Sequence, residues 1–131
     1  MLRSMRDGER LLVGLDGELD HFCAQSVRRE LDSLLQDPTI RQLILDFSGL
    51  TFMDSSGIGV ILGRYRLMRE RGGAVAVIHM NAHVSRIFHM SGMDRVIHQL
   101  DKVQEARRCA GKTKWKPPFS AWRKTSPLQG W

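Results

Sequence analysis

Apolar positions along this chain follow two rhythms. Leu11–Leu15, Leu43–Phe47 (LILDF) and Ala74–Ile78 (AVAVI) are short, nearly continuous runs bounded by polar residues or glycine. Runs of that length predict strands buried on both faces. Between them the spacing becomes helical. Val27, Leu31, Leu34 and Leu35 recur at i, i+4, i+7 and i+8 in a segment closed by Pro38. Ile58, Ile61, Leu62, Tyr65 and Met68 follow the same period up to Gly72-Gly73, the stop signal expected of a helix. Val84, Ile87 and Phe88 make a shorter helical face, and Leu100, Val103 and Ala106 a fourth. A further short strand is expected in Leu2–Met5, and another between the third and fourth helices. Alternation of this kind predicts an α/β fold, a mixed, largely parallel sheet of four to five strands packed against about four helices through right-handed crossovers. No internal repeat interrupts it.

That pattern stops near Gly111. KTKWKPPFSAWRKTSPLQGW has no helical or strand period and holds three of the four prolines. Residues 1–110 are therefore expected to form the domain, and 111–131 a basic, poorly ordered tail containing Pro and Trp. Charge divides at the same place. The chain carries +6, but Lys112, Lys114, Lys116, Arg123 and Lys124 lie in the tail with no acid among them. The remaining 15 basic and 14 acidic side chains leave the domain close to neutral, which argues against direct nucleic-acid binding by the domain. No apolar run reaches the roughly 20 residues of a membrane span, so no membrane is required, and the charged MLRSMRDGERLL start gives no sign of export. Cys23 and Cys109 have neither metal-ligand spacing nor a disulfide framework, which suits a reducing cytoplasm. The five histidines form no cluster, and no metal or cofactor is expected.

The chemistry concentrates where LILDFSGLTFMDSSG passes from a strand, through a turn, to a helix start. Asp54, Ser55 and Ser56 are all good N-caps, because a side-chain oxygen there accepts from unpaired first-turn amides. Gly57 and Gly59 lack a Cβ, so another molecule could come close, and the helix dipole makes the place hospitable to an anion. A nucleophilic serine is the rival, as in a small hydrolase. It would need a base and an oxyanion site, yet Met53 stands where G-x-S-x-G needs its first glycine relative to Ser55. Gly57, Gly59 and Gly63 are one residue too widely spaced for a dinucleotide loop.

Three stretches in order, GELDH (17–21), FMDSSGIGVILGRY (52–65) and RIFHMSGM (86–93), resemble the anti-sigma factor antagonist family, the STAS-domain class. The resemblance covers roughly residues 10–108. It implies a single STAS-type domain without catalytic activity, acting in transcription regulation of the sporulation type or, as the alternative within the family, in another phosphorylation-regulated signalling complex. Such a protein binds an anti-sigma factor that is also a serine kinase and so releases the sigma factor. The kinase phosphorylates one serine to end the binding, and a PP2C-type phosphatase restores it. Ser55 matches the phosphorylated serine, Ser56 the neighbouring serine (expected to cap the helix), and Asp54 the acid before them. Glu18 and Asp20 in GELDH are expected to face basic groups of the kinase, Asp20 also capping the first helix. With Gly57 and Gly59 they complete the expected partner surface. Ile87, Phe88 and Met93 read as core and Gly92 as a helix stop. The chain departs from the family in a short segment ahead of Leu11 and in its tail.

Overall fold

A computed structural model describes residues 2–100. The order is β1 (Leu2–Asp7), β2 (Arg10–Leu19), α1 (His21–Leu34), β3 (Gln42–Met53), α2 (Ser55–Glu70), β4 (Ala74–Ile78), α3 (Ala82–Ser91), a 3-10 turn (Met93–Arg95) and β5 (His98–Leu100). The five strands lie in the order β1-β2-β3-β4-β5. β1 and β2 form an antiparallel hairpin, and the other three pairings are parallel. This is the mixed, largely parallel sheet the periodicity predicts. Leu100, expected to open a fourth helix, instead ends strand β5; the rest of that expected helix, with Val103 and Ala106, and the tail 111–131 lie outside the described residues.

One face of the sheet packs against the helices. Leu11, Val13, Leu15, Leu43, Leu45, Phe47, Val75 and Val77 meet Val27 and Leu31 of α1, Val60, Ile61 and Met68 of α2, and Val84 and Phe88 of α3 in a single buried core. Leu12, Ile44 and Ile78 alternate with them and are also buried, which is why these strands read as continuous apolar runs rather than as alternating ones.

Two boundaries differ from the sequence reading. β2 runs on through Leu19 rather than ending at Leu15, and β3 runs on through Met53, so SGLTF is strand and not turn. The pairing of β2 with β3 shifts register between Gly14 and Asp16 and again between Gly17 and Glu18. Each shift inserts a residue and moves the inward positions out of a two-residue rhythm. Leu50 and Met53 are consequently buried at intervals of three from Phe47, a spacing that hides a strand.

The opposite end of the sheet is pinned by side chains. Arg71, the C-cap of α2, donates to the carbonyls of Leu35 (2.8 Å), Asp37 (3.1 Å) and Ile40 (3.3 Å) in the α1–β3 connection. Asp37 there accepts from Thr39 Oγ1 (2.6 Å), from Arg6 and from the Thr39 amide (2.9 Å). The Thr39 hydroxyl first, then Arg6, hold its carboxyl well below the usual carboxylate range. A depressed folded-state pKa stabilises the fold fully above the unfolded value of about 3.9, and that contribution fades as pH falls below it. Urea midpoints measured from pH 7 down to pH 2.5 should therefore fall more steeply below about pH 4 for the wild type than for Asp37→Asn. Parallel acid limbs would show the pairing to be energetically idle.

Candidate functional site

The extended ends of β2 and β3 bring GELDH and MDSSG side by side, so α1 and α2 start next to each other. Asp20 caps α1, its Oδ1 accepting from the amides of Phe22 and Cys23 at 3.0 Å each. Asp54 caps α2, its Oδ1 accepting from the amides of Ser56 (2.8 Å) and Gly57 (3.4 Å). The second oxygen of Asp54 accepts from the His21 amide at 3.2 Å. One carboxylate thus serves both helix starts and fixes their separation. Asn81 repeats the device at α3, accepting from the Val84 amide (2.8 Å) while donating to the Leu50 carbonyl (2.9 Å).

With Asp54 as the cap, the serines take other places. Ser55 is the first residue of α2 and is exposed; no hydrogen bond among the described residues ties its hydroxyl down. Ser56 is half-buried one position further on and is not the cap the sequence reading assigned to it. The glycines divide as well. A Cβ on Gly57 would lie 2.7 Å from Met53 Cγ and 2.8 Å from the Leu19 carbonyl oxygen. That glycine lets α2 seat against β2 and β3, so it opens no space for another molecule, contrary to the sequence expectation. Gly59 is exposed, and a Cβ there would meet nothing within 4 Å. It is the glycine that leaves the surface open.

Beside Ser55 runs a groove of about 400 Å³ between the two helices. His21, Ala24, Gln25 and Arg28 line it from α1, and Ser56, Gly59 and Val60 from α2. Glu18 is exposed at the end of β2, paired in register with Phe52. Two aromatic residues missed by the sequence reading complete this end of the molecule. Phe22 is 87% exposed, edge-on to His21 at 5.9 Å. Phe52 is 37% exposed and stacked on His83 at 5.1 Å. Phe22 carried a readable signal, since it falls out of phase with the buried Ala24, Val27 and Leu31 of its own helix.

No imidazole hydrogen-bonds to either serine among the described residues. His79 contacts the buried Asp46 (3.1 Å), His89 contacts Asp94 (2.7 Å), and His83 lies on Phe52. Partial burial, together with the neighbouring Asp20, pushes the Cys23 thiol up, so it remains protonated and a poor nucleophile. No group of three or more His, Cys, Asp or Glu able to hold a metal occurs among the described residues. In RIFHMSGM, Phe88 and Met93 are buried, Ile87 is half-buried, and Gly92 ends α3 in the left-handed conformation (φ 81°). Met90 of the same stretch is 74% exposed.

Residues 4–106 match the STAS domain. The anti-sigma F factor antagonist of Paenibacillus polymyxa is 44% identical over 96 residues, covering 73% of this chain and 82% of that one. This chain belongs to the STAS family of anti-sigma factor antagonists. Two solved structures resemble this STAS domain closely. The anti-sigma factor antagonist SpoIIAA in its unphosphorylated form gives a TM-score of 0.67 at 26% identity, covering 85% of this chain and 99% of that one. The Bacillus cell fate determinant SpoIIAA in the phosphorylated form gives 0.65 at 25% identity, covering 83% and 99%. Among the described residues, no helix of this STAS domain is long and apolar enough to cross a membrane.

Proposed function

We propose that this protein binds an anti-sigma factor that is also a serine kinase, thereby releasing the sigma factor in the cytoplasm. Phosphorylation of Ser55 ends the binding, and a PP2C-type phosphatase restores it. Glu18, Asp20, Ser55, Ser56 and Gly59 form the partner surface, with Asp54 holding its shape. Residues 1–110 act as the domain and 111–131 as an appended tail, with no metal, cofactor, nucleic acid or membrane needed.

The observation that carries this reading is the pairing of an exposed, unbonded Ser55 hydroxyl with a cap supplied by its neighbour. A helix start ordinarily welcomes an anion, by about 0.3–1 kcal/mol. Here the Asp54 carboxylate already takes the amides of Ser56 and Gly57. A phosphate on Ser55, bringing about −1.5 to −2 of charge, would find those donors occupied and an acid beside it. It would remain directed at whatever docks there. Across an interface a like-charge or steric conflict costs several kcal/mol, and about 1.4 kcal/mol is tenfold in affinity. The obstruction therefore outweighs any local gain. The similarity to SpoIIAA structures of both forms, with TM-scores of 0.67 and 0.65, supports a switch made without refolding.

The test is to incubate the protein with its anti-sigma kinase and ATP and map the product by mass spectrometry. One phosphate on Ser55 is the expected result; phosphate on another residue, or none, overturns the reading. Phe22 should anchor the same interface. An aromatic hot spot at the centre of an interface accounts for about 2 kcal/mol or more, so Phe22→Ala should weaken binding roughly thirtyfold in calorimetric titration if Phe22 is such an anchor. Its thermal midpoint should stay put, because the ring packs on so little of its own domain.

A further inference from the structure

We infer that the α1–α2 groove receives an acidic side chain of the anti-sigma factor, read by Arg28, and is a second recognition element beside Ser55. The inference rests on the docking reading above and deepens it.

His21, Gln25 and Arg28 sit at i, i+4 and i+7 on α1 and present one polar stripe to the groove. Gly59 and Ser56 face them from α2, and no acid lines the space. Arg28 is exposed and has no carboxylate partner among the described residues. Further along the same seam, Arg64 of α2 is largely buried, its Nε 3.2 Å from Asp32 Oδ1. That contact lacks hydrogen-bond geometry, so Arg64 Nε is ion-paired but, like the buried Nη1, makes no hydrogen bond. Burial pushes the Arg64 guanidinium down from its usual value; Asp32 opposes the effect and the nearby Arg28 adds to it. Two guanidiniums therefore share a seam in which Asp32 is the one ion-paired acid. Surplus positive charge beside an open volume with no acid in its lining favours an incoming carboxylate over an apolar or basic group.

The acidic surface of GELDH and the basic groove then recognise opposite charges a few residues apart. That arrangement fixes the orientation of a partner as well as attracting it.

The test compares anti-sigma factor binding by wild type, Arg28→Glu and Gly59→Leu at 50 and 300 mM salt, each variant first checked by thermal melting. A photo-crosslinker at Gln25 identifies the partner segment in the groove. Arg28→Glu should weaken binding at least tenfold at low salt and flatten its salt dependence. Gly59→Leu should fill the groove and weaken binding at both salts, and the crosslinked peptide should contain Asp or Glu. Wild-type affinity in Arg28→Glu with a loss in Gly59→Leu overturns the charged groove while leaving docking at Ser55 intact. A loss in Arg28→Glu without one in Gly59→Leu also overturns it, since the charge would then act from outside the groove. No loss in either variant overturns the groove as a docking element and removes Gly59 from the partner surface, leaving docking at Ser55 to its own phosphorylation test. A crosslink to a peptide without acids overturns the assignment of the occupant.

Discussion

Alanine at Gly57 should cost the fold about 2–3 kcal/mol, whereas alanine two residues later, at Gly59, should stabilise it by up to about 1 kcal/mol. Both glycines lie in the first turns of the same helix, so the loss of helix propensity relative to alanine is alike. They differ in what a methyl group meets. At Gly57 it would press on the Leu19 carbonyl oxygen at 2.8 Å, with Leu19 Cγ at 2.9 Å and Met53 Cγ at 2.7 Å. A backbone oxygen in a strand paired with its neighbour does not step aside as a side-chain tip would, so the helix start itself must lift. At Gly59 the methyl meets nothing within 4 Å. In a domain of about 100 residues each kcal/mol moves the thermal midpoint by roughly 4–8 °C. Melting curves should thus show Gly57→Ala lower by some 10–20 °C and Gly59→Ala unchanged or higher. Equal midpoints would mean that α2 is not seated on β2 and β3 as described. The two variants also separate fold from function, since Gly59→Leu in the groove experiment acts at a position where the fold has room.

The contrast also marks how far the sequence could be read. Apolar periodicity placed α1, α2 and α3, because each has one buried side and a conventional stop, such as Gly72-Gly73 after α2 or Gly92 after α3, and it placed β4 as a short continuous apolar run. It could not see the second halves of β2 and β3. There the extra residues of β3 put Leu50 and Met53 inside at intervals of three, the half-buried and exposed Asp16-Gly17-Glu18 interrupts the apolar run of β2, and a rule of alternation mistakes such strands for turns. It likewise could not choose among three adjacent caps. Asp54, Ser55 and Ser56 are equivalent as residue types, and the choice depends on the approach of β2, which brings the His21 amide within reach of the second Asp54 oxygen. Gly57 and Gly59 look alike for the same reason, since only the packed strands make one inward and the other outward. Phe22 and Arg28 needed no tertiary information to be noticed, as both stand off the apolar face of α1. The α2 residues that face Arg28 across the groove, Ser56, Gly59 and Val60, come from another element far along the chain, so the groove itself was invisible.

Glutamate at Ser55 should lower affinity for the anti-sigma factor about a hundredfold, while alanine at the same position should bind within about threefold of wild type and ignore ATP. The asymmetry follows from the cap. Were Ser55 the capping residue, its loss to alanine would cost the helix about 1 kcal/mol and confuse any binding measurement. Because Asp54 performs that task, Ser55→Ala removes a hydroxyl that supports nothing in the fold, and thermal midpoints should agree within about 2 °C. Ser55→Glu introduces one charge beside Asp54 at an exposed position. In the free protein water screens it, so this variant too should melt close to wild type. In the complex the same charge must be buried against a surface shaped for a neutral hydroxyl, and a conflict of about 3 kcal/mol corresponds to the hundredfold loss. Phosphoserine, with up to twice the charge and greater bulk, should lose more. Near-identical circular dichroism and amide spectra for wild type, Ser55→Glu and the phosphorylated protein would place the whole effect at the interface. Wild-type affinity in the glutamate variant alongside a widespread spectral change on phosphorylation would instead assign the switch to a rearrangement of the domain, and obstruction at Ser55 would be excluded.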